Sequence, residues 1–227
     1  MSSIVLSPGA TGAAAFTIEA PSTATSRVIT LPDATDTLVG KATTDTLTNK
    51  TLVAPALGTP ASGNLANCTG AITSGTAQAS TSGTSIDFTG IPSGVKRITV
   101  MFNGVSTSGT SNPQVQLGTS SGITITGYVS TGTNQVNNVS PQSASSTSGF
   151  LCGEISLAAG ILSGIYVITN ISGNIWVGSF CGKYGSTQTC VGGGNVTLGA
   201  ILDRVRITTA NGTDTFDAGS INILYES

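Results

Sequence analysis

Asp203, Asp214 and Asp217 gather near the end of a chain that is otherwise sparing with charge. Two carboxylates ~5–10 Å apart can run glycoside hydrolysis, and a richer set of oxygens can hold Ca²⁺. Asn211-Gly212-Thr213-Asp214 also spells a hairpin turn between two strands, and that reading is preferred to either. Cys68, Cys152, Cys181 and Cys190 show no C-x-x-C spacing, and the chain has no histidine to complete a zinc set or to act as a general base. Cys181 and Cys190 are spaced to face each other across a Gly-rich loop. Val191-Gly-Gly-Gly-Asn195 lacks the Lys-Ser/Thr of a phosphate-binding loop and reads as a flexible turn. No cofactor is expected.

The remaining chemistry is neutral. Ser130–Gly149 carries no charge and is dense in amides and hydroxyls. Asn134, Gln135, Asn137, Asn138 and Gln142 each offer a donor and an acceptor, which suits the hydroxyls of a neutral polysaccharide. The plainer reading is a long solvated connection. Tyr128 and Tyr184, beside Gly and Ser, have faces that could stack on sugar rings; packing in a core is the preferred role for both.

Those groups sit in an unusual background. Of 227 residues only 8 are basic and 10 acidic, whereas 29 are Ser, 36 Thr and 30 Gly. A coiled coil is excluded for want of Glu/Lys/Leu-rich heptads, and collagen because glycine follows no three-residue period. Ordinary disorder is excluded because low hydrophobicity and high net charge are both missing. Eight scattered cations cannot neutralise a phosphate track, so no nucleic acid is expected. No run approaches the ~18 apolar residues of a membrane helix, so no membrane insertion is expected.

Aromatic residues divide the chain. Phe16 stands alone before Phe88, and the other ten lie beyond residue 84. Since aromatics dominate core burial, a compact domain is expected over 84–227. Residues 1–83 form an arm with too little bulk to fold alone, for which identical copies are the simplest partner. Its short β-like stretches end at Pro21 and Pro32, and the uncharged run from Thr51 to Ile86 is either a linker or a strand-like stalk. Beyond Thr84, candidate strands at Arg97–Phe102, Gln114–Leu117, Gly122–Val129, Gly149–Leu157, Ile165–Thr169, Asn174–Tyr184, Val196–Ile201, Asp203–Thr208 and Ser220–Tyr225 alternate with Gly/Ser/Asn/Pro clusters. Ile98, Val100 and Phe102 should share one face. This pattern predicts an all-β chain with an antiparallel, jelly-roll-like β-sandwich at its C-terminal end.

Three phrases in the arm carry a resemblance: Ile29-Thr-Leu-Pro-Asp-Ala-Thr-Asp-Thr-Leu-Val-Gly, Lys41-Ala-Thr-Thr-Asp-Thr-Leu-Thr-Asn-Lys-Thr-Leu, and Ala56-Leu-Gly-Thr-Pro-Ala-Ser-Gly-Asn-Leu-Ala-Asn-Cys-Thr-Gly. They resemble segments of tail fibres and other virion fibre proteins of tailed bacteriophages. Two further stretches, Phe88–Thr107 and Leu202–Glu226, resemble the C-terminal module of such proteins. The resemblance implies a non-enzymatic homotrimer located in the virion and assembled in the bacterial host cytoplasm, where disulfides are rare, so that free, mostly buried thiols are the preferred state of the cysteines. It implies an N-terminal arm attached to other virion proteins, for which Ile4, Val5, Leu6, Phe16 and Ile18 are the candidate contacts, and a distal domain that meets a host surface glycan or protein. The same phrases occur in capsid-attached head fibres and decoration proteins, which stay open as an alternative. A tailspike depolymerase is disfavoured by the missing histidine, the scarce carboxylates and the short chain.

Overall fold

A computed structural model describes residues 72–137, 139–155, 158 and 160–227. The arm phrases, the attachment candidates Ile4, Val5, Leu6, Phe16 and Ile18, and the receptor candidate Asn138 lie outside the described residues.

The described residues are all-β, with no helix among them. The strands are β1 (Ile72–Ser74), β2 (Gln78–Ala79), β3 (Ser85–Thr89), β4 (Arg97–Thr107), β5 (Pro113–Thr119), β6 (Gly122–Ile123) and β7 (Val129–Val136). They continue as β8 (Gln142–Ser146), β9 (Phe150–Leu151), β10 (Leu162–Ser172), β11 (Ile175–Tyr184), β12 (Gln188–Thr197), β13 (Leu202–Thr209) and β14 (Phe216–Glu226). A large antiparallel sheet runs β1-β14-β4-β10-β11-β12-β7-β8, with β2 also on β14. A small one runs β3-β13-β5, with β6 and β9 on the far side of β5. Among the described residues, β1 and β2 already cover β14, so the sandwich includes residues ahead of Thr84.

Period-2 patterning makes the two layers adhere. In β4, Ile98, Val100 and Phe102 are buried while Thr99 and Met101 are half-buried, as the alternation predicts. They join Val115, Leu117, Val205 and Ile207 from the small sheet in one hydrophobic cluster. Fully burying each such side chain stabilises the fold by ~1.5–3 kcal/mol. A chain of rings threads the cluster: Phe102–Phe180 at 5.8 Å, Phe180–Tyr166 at 5.9 Å, Tyr166–Phe150 at 5.6 Å and Phe150–Tyr128 at 5.1 Å. The edge-on pairs Phe102–Phe180 and Tyr128–Phe150 add ~0.5–1.5 kcal/mol each beyond the area they bury.

Several elements depart from the sequence expectation, each for a tertiary reason. β4 runs on past Phe102 to Thr107 through a bulge at Gly104, whose φ is +67° and whose N–H donates to Ser163 Oγ at 3.0 Å. Gly122–Val129 is not one strand: its two ends belong to β6 and β7. Of Gly149–Leu157 the described residues form a strand at β9 alone, and Val196–Ile201 is the end of β12 followed by a turn.

The Val191–Asn195 glycine run is not a turn; it is the middle of β12. A Cβ on Gly192 would lie 2.0 Å from the Leu151 carbonyl oxygen. One on Gly132 in β7 would lie 2.8 Å from the Gly153 backbone. The glycines thus let the β9 segment rest directly on β7 and β12. Ser130 Oγ fastens it, accepting from the Leu151 N–H at 2.9 Å and donating to the Gly193 carbonyl at 3.1 Å. As β9 also pairs with β5, and the Cys152 N–H donates to the Pro113 carbonyl at 3.0 Å, the two sheets are pinched together here through backbone.

Candidate functional site

The Ser130–Gly149 stretch is not a loop. Its first part is β7, its second is β8, and the two form an antiparallel hairpin that ends the large sheet. Strand alternation divides the expected receptor residues between two sides. Asn134 points inward, is 1% exposed, and donates through Nδ2 to Gln188 Oε1 at 2.8 Å. Gln135, Asn137 and Gln142 are exposed at the hairpin tip. The tip is held by its own amides: Gln135 Nε2 donates to the Val136 carbonyl at 3.0 Å, and Gln142 Nε2 to the Ser140 carbonyl at 3.2 Å. Outward on the same hairpin stand Thr131 and Thr133 opposite Ser145 and Ser143, so the edge presents hydroxyls and no charge.

Tyr128 and Tyr184 take the packing role. Both are 1% exposed. Tyr128 Oη accepts the Leu117 N–H at 2.7 Å, closing a backbone donor on the open side of β5, and burial pushes its hydroxyl pKa up. Neither ring has a free face for a sugar.

The carboxylates build a turn. Asn211 Oδ1 accepts the Thr213 N–H at 3.0 Å and the Asp214 N–H at 3.3 Å. Asp214 accepts Asn211 Nδ2 at 2.6 Å and the Ser111 N–H at 2.9 Å, and Asp217 accepts Ser106 Oγ. The turn is not a hairpin, however, because β13 and β14 belong to different sheets; it carries the chain from one layer to the other. Asp203 pairs with Arg204, whose hydrogen bond holds its carboxyl below the usual range. Among the described residues no three His, Cys, Asp or Glu side chains stand together as a metal site.

Cys181 and Cys190 do not face each other. Cys181 pairs with Val191 and is exposed on the outer face of the large sheet, whereas Cys190 is buried on the inner face, one residue out of register. Cys152 is buried too, and all three are free thiols; Cys68 lies outside the described residues. Burial pushes Cys152 well up and Cys190 to about 11.

The structure adds a feature that the motif reading missed. The cross-strand registers bring Met101, Ile165, Cys181 and Val191 into one row across β4, β10, β11 and β12, on the face away from the core. Ile165 and Val191 are each 47% exposed. The neighbouring row holds Leu224, Thr99, Val167, Ser179, Gly193 and Thr131. A solvent-facing sheet normally alternates apolar with polar, whereas Ile165-Tyr166-Val167-Ile168 is apolar on both faces. That unbroken run was the available signal.

No family model, no curated protein and no solved structure matches the chain.

Proposed function

We propose that this chain is a non-enzymatic structural protein of a tailed-bacteriophage particle, a homotrimeric fibre fixed through its N-terminal arm, with the C-terminal β-sandwich directed at the host surface. The ordered arm phrases and the two stretches bracketing the C-terminal domain support the family reading. The observation that carries the host-contact role is the β7–β8 hairpin, a sheet-edge element offering Thr131, Thr133, Ser143 and Ser145 outward and Gln135, Asn137 and Gln142 at its tip, with no charge. Such a surface matches the hydroxyls of a neutral glycan. Each neutral hydrogen bond nets only ~0.5–1.5 kcal/mol, so a single site binds weakly and three copies raise the affinity by avidity.

The test removes the tip residues 137–140 from a particle that still assembles, then measures adsorption to host cells at low and high ionic strength. Adsorption should fall, and the adsorption of the unaltered particle should change little with salt, because few charges take part. Unchanged adsorption would turn the assignment toward a capsid-attached head fibre or decoration protein, which imaging of the attachment point distinguishes directly. Strong salt dependence would remove the neutral glycan.

A further inference from the structure

The outer face of the small sheet carries an ordered set of polar side chains. The cross-strand registers place Asp87, Arg206 and Gln116 in one row and Ser85, Thr208 and Gln114 in the next, both on the face away from the core. Neighbours within a row stand ~4.5–5.5 Å apart. Polar residues on the outer face of an antiparallel sheet are ordinary, but these are sunk: Gln114 is 2% exposed, Gln116 5% and Thr208 6%. Walls rise around them from Ser148 beyond β8, from Ile125 between β6 and β7, and from the 209–212 turn, and the cavity they bound measures about 310 Å³. Part of the floor is engaged within the chain. Gln114 Oε1 accepts Ser146 Oγ at 3.2 Å and Ser148 Oγ at 3.3 Å. Thr208 Oγ1 donates to the Thr84 carbonyl at 2.8 Å, and Gln116 Nε2 to the Ser148 carbonyl at 2.9 Å. These bonds hold the floor in place. Gln116 Oε1, Ser85 Oγ and Arg206 Nη1 make no hydrogen bond among the described residues.

We propose that this groove is a binding site for a short neutral saccharide, separate from the β7–β8 hairpin. The three open groups supply what a sugar ring needs: an acceptor at Gln116, donors at Arg206, and a hydroxyl at Ser85 that serves as either. Ile125, 61% exposed, adds an apolar wall for the C–H face of a ring. Charge selects a neutral ligand. Arg206 binds Asp87 through Nε and Nη2, both at 2.7 Å, so the row holds a matched pair rather than a free cation. The cavity lies at the small end of the ~300–1,000 Å³ of ligand sites, which suits about one or two sugar rings rather than a long stretch of polymer. Burial adds a further argument. Sunken amides are costly to desolvate unless they are hydrogen-bonded, and a ligand hydroxyl on Gln116 Oε1 completes the set. That the saccharide belongs to a host surface rests on the reading above; that the groove binds it does not.

The experiment applies the full chain to an array of immobilised neutral and acidic saccharides, then measures Kd for the strongest neutral binder by calorimetry at low and high salt. Wild type is compared with Gln116→Met, Ile125→Asp and the chain lacking the hairpin-tip residues 137–140. Wild type should retain neutral saccharides at either salt concentration. Each substitution should weaken binding at least ~10-fold, the loss expected for about one or two ligand contacts, and the tip deletion should leave Kd unchanged. Ile125 is exposed, so its substitution keeps the test decisive should Gln116→Met fail to fold. No neutral saccharide retained, or one held equally by both substituted chains, would overturn the inference. Binding lost with the tip and indifferent to the groove substitutions would overturn it too, while leaving the hairpin as the host contact. Groove binding intact beside unchanged adsorption of the tip-deleted particle would uphold the groove and defeat the hairpin. A preference for acidic saccharides that salt abolishes would overturn the neutral class.

Discussion

Gly192 carries no side chain because none fits: a methyl group there would meet the Leu151 carbonyl oxygen at 2.0 Å, and the segment cannot step aside while the Leu151 N–H is held by Ser130 Oγ and the Cys152 N–H by the Pro113 carbonyl. Gly192→Ala should therefore lower stability by about 1–3 kcal/mol, the usual range for overpacking. Gly199→Ala, whose added methyl meets nothing within 4 Å, should be close to neutral. Urea melts of the two variants against wild type check the pair. Tyr128 offers a second test of the same region. Tyr128→Phe keeps the ring against Phe150 but leaves the buried Leu117 N–H without the hydroxyl that accepts from it. The expected loss is about 1–3 kcal/mol, the cost of orphaning a buried donor. A melting temperature equal to wild type would mean that another acceptor reaches that N–H.

At the scale of elements, β1 and β2 are short yet cover one side of β14. Ser80 Oγ donates to the Ala218 carbonyl at 2.8 Å, and Gln78 Nε2 to the Asp87 carbonyl at 2.8 Å, tying the segment to both β14 and β3. A fragment starting at Thr84 would bare a long strand edge rich in Ile and Leu, which invites edge-to-edge association. It should melt several degrees below a fragment starting at Ile72 and aggregate at lower concentration, as light scattering during heating would show. Much at this level was legible in the sequence. The alternation in Arg97–Phe102 and the run Asn174–Tyr184 mark β4 and β11 because large residues recur at the inward positions, Ile98, Val100 and Phe102 in one and Trp176, Phe180 and Tyr184 in the other. The glycine run of β12 was not legible, since glycine signals a turn by local chemistry, whereas here it answers a carbonyl far away in the chain. The candidate site divides in the same way. Gln135 and Gln142 were legible as exposed amides, but Asn134, identical in character, is turned inward by the pleat, and only the strand register reveals it.

For the whole molecule, the ionisable groups that burial shifts most act on the alkaline side. Cys190 rises from 9.0 to about 11, chiefly through desolvation and then through the charge of Glu154. Cys152, Tyr128 and Tyr166 are raised in the same direction, each first by desolvation. A raised folded-state value means that the native protein holds the proton more tightly than the unfolded chain. The associated stability is fully present below about pH 9 and is lost as pH climbs through about 11. Denaturant midpoints should thus hold level up to about pH 9 and fall steeply beyond it, and Cys190→Ala should flatten the onset. A midpoint unchanged at pH 11 would show that these groups ionise without opening the core. Among the described residues Arg97, Arg204 and Arg206 are each matched to a carboxylate at 2.7 Å, which leaves little of their charge for salt to screen.

The backbone pinch at Gly132, Gly153 and Gly192 has an evolutionary consequence. It fixes a handful of positions where almost no replacement is tolerated, and it lies against a hairpin whose outward residues face solvent, Thr131 and Thr133 standing between Ser145 and Ser143 of β8 and Gly193 and Val191 of β12. Drift and innovation are thereby separated along a few residues of the same strands: Gly132 is frozen while its neighbours Thr131 and Thr133 are free. A randomised library confined to Thr131, Thr133, Gln135, Ser143 and Ser145 should yield mostly soluble, folded members, so the hairpin is a place where new binding specificities can be selected without redesigning the scaffold beneath it.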